Sequence, residues 1–237
     1  MIRIGPRKIP VETLSSGSSN GTVVIVPHWT GSMDDSVYPT MVSRLADKYE
    51  VIRCSLYGRG ADNGSLRDGS ISDDVEDLQQ VIALANNSRV VIAAESLGAT
   101  ISVQATSVAS GYVFLNPAWG GINSNPSFIK MLHRAQRTGR FFGHDIGASM
   151  IQEFLDYNAH LDLTRLEGVL YVVAGSNDTV TSQQTQRSVL KNVRNSGRIN
   201  VIDSSKHLLT GQAAEDAVDF LTASIDEVFQ NTYIPHR

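Results

Sequence analysis

The chain has 237 residues, a net charge of −4, 41% apolar residues and 19% charged ones. This ordinary globular balance suits one sizeable core and needs no second domain. The acidic balance argues against nucleic-acid binding, which uses a basic face, and the lone Cys54 excludes an internal disulfide. No apolar run approaches the ~18 residues of a membrane span, and Pro6 and Pro10 interrupt a start that lacks a signal-peptide apolar core. A soluble, cytoplasmic protein is expected.

In chain order, "SSGSSNG" (15–21) reads as a turn or short flexible link. "TVVIV" (22–26) is a continuous β-branched run of the kind buried on both faces of a parallel sheet. A helical pattern, "VYPTMVSRLADK" (37–48), precedes the strand-like "YEVIRCSL" (49–56). The next helix, "SDDVEDLQQVIALAN" (72–86), offers Ser72 as a candidate N-cap and has acidic residues in its first turn. Strand "RVVIAA" (89–94), helix "SLGATISVQATS" (96–107) and strand "GYVFLN" (111–116) follow. After a gap come strand "VLYVVAG" (169–175), helix "SQQTQRSVLKNV" (182–193), strand "RINVID" (198–203) and helix "GQAAEDAVDFLTASIDEVFQ" (211–230).

This alternation predicts a doubly wound α/β fold, with a mostly parallel sheet covered by helices on both faces. Residues 117–165 break the pattern. They contain no good strand, but offer helices in "NPSFIKMLHRAQR" and "HDIGASMIQEFLDYNAH". The expectation is one domain over 1–237 carrying a small helical cap, 117–165, inserted before the fifth of these runs.

Open parallel sheets carry their chemistry beyond the carboxyl ends of the strands. There the sequence places "PHWTGS", "YGRG", "ESLG", "SNDTV" and "SSKHLL". Ser96, Asp178 and His207 fall at three of these ends, in the chain order of α/β-hydrolase triads. Asp178 lies 82 residues after Ser96, room for a strand, the cap and another strand; His207 lies 29 further on, room for a helix and a strand. A serine hydroxyl attacks only when a base takes its proton and the Oγ is held exposed. A sharp strand-to-helix turn does this, usually as G-x-S-x-G; here it reads Ala94-Glu95-Ser96-Leu97-Gly98. The Leu97 N–H, at the helix start, would then face a developing oxyanion. Asp203, at the end of the last strand, stays open as the alternative acid.

The segments "VIVPHWTGS", "SLYGRGADNG", "VVIAAESLGAT", "HLDLTRLEGVLYVVAGSNDTV" and "VIDSSKHLLT" resemble the α/β-hydrolase superfamily, most closely small bacterial carboxylesterases and monoacylglycerol-lipase-like enzymes. In that family the first segment reads as an apolar strand followed by H-G-x-x-G. Here Pro27 stands in place of the histidine and His28 in place of the glycine, and Trp29 falls on the residue whose N–H completes the oxyanion hole. The resemblance implies that His207 is the general base and Asp178 the residue that holds its imidazole.

The expected activity is hydrolysis of a small or medium-chain carboxylic ester through an acyl-enzyme. A thioesterase, lactonase or deacetylase with the same triad, or a non-catalytic binding protein of the same fold, are the alternatives. The expected partner is a small-molecule ester; no cofactor, metal or nucleic acid is expected, and the oligomeric state is unspecified. His28 is a candidate substrate contact or a structural loop histidine, and Glu95 a local hydrogen-bonding or solvent-facing residue. Met131, Phe141, Phe142, Met150 and Phe154 divide between the cap's core and an acyl pocket, with Phe141 and Phe142 as the pocket candidates. Lys130, Arg134, Arg137 and Arg140 form a basic stripe, either solvated or attracting an anionic group. His133, His144 and His160 lack metal-ligand spacing.

Overall fold

The computed structural model describes residues 1–15, 20–60, 64–191, 193–203 and 205–231. Most of the expected 15–21 link and part of the turn-rich stretch after Arg59 lie outside the described residues. An N-terminal pair, β1 (Ile2–Ile4) and β2 (Ile9–Leu14), precedes the alternation. Then come β3 (Thr22–Val26), α1 (Tyr38–Leu45), β4 (Glu50–Cys54), α2 (Ile71–Ile82), β5 (Val90–Glu95), α3 (Leu97–Ala105) and β6 (Gly111–Leu115). The insertion holds α4 (Pro126–Thr138), β7 (Arg140–Phe141), β8 (His144–Asp145), α5 (Ala148–Asp156) and α6 (Ala159–Leu163). β9 (Val169–Gly175), α7 (Gln183–Leu190), β10 (Ser196–Ile202) and α8 (Gln212–Asn231) complete the chain.

Eight strands form one sheet in the order β1-β2-β4-β3-β5-β6-β9-β10. The six from β3 onward are parallel, whereas β2 runs antiparallel to both β1 and β4. The central strands β3, β5, β6 and β9 are buried on both faces, and their period of two divides the core. Val24, Ile92, Phe114 and Val172 face one cluster with α2, α3, α7 and the insertion. Val23, Val91, Val113 and Val173 face another with α1 and α8. Helix α3, between these central strands and its neighbours, is buried on every side from Leu97 to Val103, which explains its small, apolar composition.

Three details differ from the sequence reading. The N-cap of α2 is Ser70, whose Oγ accepts the Asp73 N–H, while Ser72 sits inside the helix and bonds Glu153 of α5. β1 and β2 were not among the expected strands; in their pairing Pro10 lies opposite Arg3. Residues 117–165 contain a hairpin as well as helices, with Phe141 paired to His144. Strands of two residues are too short for any alternation to register.

Candidate active site

The chain between β5 and α3 makes the sharp turn that the small residues around Ser96 predict. Ser96 has φ 53° and ψ −119°, a left-handed conformation in a non-glycine residue and therefore strained. Its N–H bonds the Leu115 carbonyl and its own carbonyl accepts from Ala118, so the elbow is fixed from β6. Gly98 permits the close approach: a Cβ there would lie 2.6 Å from the Pro27 carbonyl oxygen and 2.8 Å from that of Val26. The helix start is thus pressed onto the loop that carries Trp29.

Ser96 Oγ lies 2.8 Å from His207 Nε2, and His207 Nδ1 lies 2.8 Å from Asp178 Oδ2. The other Asp178 oxygen accepts the N–H groups of Val180 and Thr181, at 2.7 and 3.1 Å. That leaves Oδ2 for the imidazole and fixes the carboxylate in an 8% exposed position. Asp203 is exposed and takes no part in this row. The structure therefore brings together Ser96, Asp178 and His207 from three separate strand ends.

Trp29 and Leu97 flank this row. Neither backbone N–H has an acceptor among the described residues, so both are free to receive one from outside. The Trp29 side chain is buried; its Nε1 points to Met150 Sδ at 3.0 Å, and its ring packs on Phe141 and Phe154 at 4.8 and 5.1 Å between centroids. Met150 and Phe154 thus join the insertion to the sheet and do not face the cavity. Met131 packs, partly buried, against the same cluster.

A cavity of about 480 Å³ opens over Ser96 and His207. Trp29, Phe128, Phe141, Phe142, Val180 and Leu208 supply its apolar lining, and His28, Thr30, Thr179 and Lys206 its polar edge. His28, Phe141 and Phe142, the candidate substrate contacts, all line this cavity, and Phe128 of α4 lines it as well. Phe142 is 63% exposed at φ 46° in the two-residue loop of the β7–β8 hairpin, next to Gly143 at φ 85°. Positive φ at both positions is the pattern of a type I′ turn, where asparagine or glycine is the usual first residue. Burial pushes the His28 imidazole below its usual pKa, partly opposed by Glu95 and Asp35, so it is a neutral group at the cavity edge.

Asn116 escaped the sequence reading. It is fully buried at the end of β6, with φ 44°. Its Nδ2 donates to the carbonyl of His207 at 2.6 Å and its Oδ1 accepts the Gly175 N–H at 2.7 Å. It thereby ties the histidine loop to the end of the strand that precedes Asp178. The only signal was a polar residue closing an apolar strand before Pro117. Glu95 is likewise buried, 1% exposed, and receives the Tyr38 hydroxyl.

The basic stripe lies on the outer side of α4 and on the hairpin: Lys130, Arg134, Arg137 and Arg140 are all exposed, and Arg140 alone has an acidic partner, Asp145 at 3.6 Å, among the described residues. Among those residues no group of three or more metal-type side chains converges, and no helix is long and apolar enough to cross a membrane.

A family model described as the alpha/beta hydrolase family matches residues 23–220. No curated protein sequence matches the chain significantly. Among solved structures the chain is similar to Est1E from Butyrivibrio proteoclasticus with ferulic acid bound, at TM-score 0.74 and 13% identity over 95% of this chain and 100% of that one. It is similar to a thermophilic esterase from Thermogutta terrifontis, at TM-score 0.73 and 13% identity over 97% and 98% of the two chains. A monoacylglycerol lipase from Paleococcus ferrophilus aligns at TM-score 0.73 and 16% identity over 94% and 98%.

Proposed function

The chain belongs to the α/β-hydrolase family, and from that premise we propose that it hydrolyses carboxylic esters, with Ser96 as nucleophile, His207 as general base and Asp178 as its orienting carboxylate. One observation carries the reading: the hydrogen-bonded row from Asp178 through His207 to Ser96 ends on a strained elbow inside an aromatic cavity.

In this reading His207 Nε2 takes the Ser96 proton as Oγ attacks the ester carbonyl. Asp178 keeps the other ring nitrogen protonated and stabilises the imidazolium. The carbonyl oxygen gains negative charge and receives the N–H groups of Trp29 and Leu97. The imidazolium returns its proton to the departing alkoxide, leaving an acyl group on Ser96. Water, deprotonated by His207, then releases the acid and restores the serine. The apolar lining favours a small or medium-chain acyl group or an aryl group over a strongly polar one.

A panel of p-nitrophenyl esters of increasing chain length, with thioesters and lactones beside it, tests the bond and the substrate class. Turnover highest on the oxygen esters is expected. Ser96→Ala should lower kcat by on the order of 10⁶ with the fold intact. A variant keeping more than about a tenth of the wild-type rate would remove Ser96 from the role.

A further inference from the structure

The loop from Pro27 to Gly31 carries Trp29 and is bonded from outside by Tyr38 and Arg59. Two buried side-chain systems converge on it. On one side, the His28 N–H donates to Tyr38 Oη at 2.9 Å, and Tyr38 Oη donates to Glu95 Oε2 at 2.6 Å. On the other, Arg59 Nε donates to the Trp29 carbonyl at 2.7 Å, while its two terminal nitrogens hold both oxygens of Asp74, at 2.9 and 2.7 Å. Nη1 of Arg59 also donates to the Tyr57 carbonyl at 3.1 Å. Tyr38, Glu95, Arg59 and Asp74 are all at most 2% exposed.

The peptide unit between His28 and Trp29 carries the N–H assigned above to the oxyanion. Its own carbonyl accepts from Gly31 at 3.1 Å. The peptide before it is tied through the His28 N–H, and the peptide after it through the Trp29 carbonyl. Turning the central N–H away would break at least one of these bonds and leave a buried polar group unpaired. Burial also pushes the Tyr38 phenol well above its usual pKa, with Glu95 adding to the shift, so the hydroxyl remains a donor at any physiological pH. A buried ion pair is no efficient way to add stability, and a hydrophobic replacement is often as good. Its place against the Trp29 carbonyl gives it a different use.

We propose that Tyr38 and Arg59 are positioning residues that clamp the Pro27–Gly31 loop from both sides and pre-aim the Trp29 N–H at the oxyanion. The proposal rests on the esterase reading above. A donor that is already aimed costs no reorganisation as charge develops, and loss of one such donor typically lowers kcat by ~10²–10³. Loosening it, with the donor retained, should have a smaller effect on the same step.

Tyr38→Phe removes one hydroxyl. Arg59→Lys keeps a cation opposite Asp74 but cannot hold both carboxylate oxygens and the Trp29 carbonyl at once. Each should lower kcat on p-nitrophenyl butyrate by roughly 10- to 100-fold and change KM by less than about threefold. Butylboronic acid forms a tetrahedral adduct on a serine oxygen and uses the same donors, so its affinity should fall in parallel with kcat. Binding of butyrate, the ground-state product, should stay near wild type. Active sites are counted by end-point titration with a fluorophosphonate, and folding by circular dichroism melts. Wild-type kcat and boronate affinity in a folded variant, with only a lower Tm, would reduce the clamp to ordinary structural packing. Failure of both variants to fold at 15 °C would do the same. A wild-type protein inert on every ester, or an active Ser96→Ala, would instead overturn the esterase reading and the clamp with it.

Discussion

At the carboxyl ends of the strands several polar side chains are buried and hydrogen-bonded, whereas the basic side chains of α4 and the β7–β8 hairpin face solvent. Asp178, Asn116, Glu95 and Arg59 are all buried, and each is hydrogen-bonded: Asp178 to His207 and to its own loop, Asn116 to the His207 carbonyl, Glu95 to Tyr38 of α1, and Arg59 to the Trp29 carbonyl and Asp74 of α2. The insertion is held the opposite way. Phe128, Phe141, Met150 and Phe154 pack on one another and on Trp29, and the charged residues of α4 face solvent. Directional bonds fix atoms to within tenths of an ångström, which proton transfer needs. Apolar contacts fix a surface, and a surface can be recontoured by substitution with the chemistry intact. The comparison therefore predicts that changes at the strand ends act on kcat and changes in the insertion act on substrate preference.

Among changes that spare the nucleophile and the base, the largest effect should come from Asp178→Asn. It keeps the shape of the site but offers the wrong hydrogen-bonding partner to His207 Nδ1, and should cost ~10⁴ in kcat. Asp203→Asn, at an exposed position, should leave kcat near wild type. The reverse ranking in steady-state assays would show that Asp203, not Asp178, is the acid.

Phe142 sharpens the comparison from the other side. It is exposed and holds a left-handed conformation that an aromatic residue tolerates poorly. Phe142→Gly should leave Tm unchanged or raise it by relieving about 1 kcal/mol of strain. The same change should alter the chain-length profile by roughly tenfold between the shortest and the preferred ester, since each methylene discriminated in an apolar pocket is worth about 1–3 kcal/mol. Rates on the acetyl ester should hold. A chain-length profile superimposable on wild type would remove Phe142 from substrate contact.

These two predictions also mark how far the sequence was legible. The central strands read almost to the residue, because β3, β5, β6 and β9 are buried on both faces and so appear as unbroken apolar runs. The placement of Ser96 and Asp178 at the sheet's carboxyl edge was readable because each follows such a run. Asn116, Tyr38 and Arg59 were not. Each bonds a backbone group outside its own element, at Gly175, His28 and Trp29, and such a bond leaves no periodic pattern in the sequence. The β7–β8 hairpin was hidden by its length, as was the three-residue β1.

The smallest predicted effect is on acid stability. Burial holds the His28 imidazole below its usual pKa of about 6.5. As pH falls through that value the unfolded chain binds a proton that the folded chain takes up only at lower pH. Stability should therefore decline below about pH 6.5, and His28→Gln should flatten the decline. Equal slopes of Tm against pH, between pH 7.5 and 5, in both proteins would show that other groups control it.

The central claim is that the strand ends of this fold activate one serine. Reaction with a fluorophosphonate, followed by intact mass and peptide mapping, measures this directly. A single adduct on Ser96, formed within minutes in the wild-type protein and lost or slowed by orders of magnitude in His207→Ala, is the result the account predicts. No adduct, an adduct on another serine, or labelling of Ser96 at the same rate without His207 would contradict it.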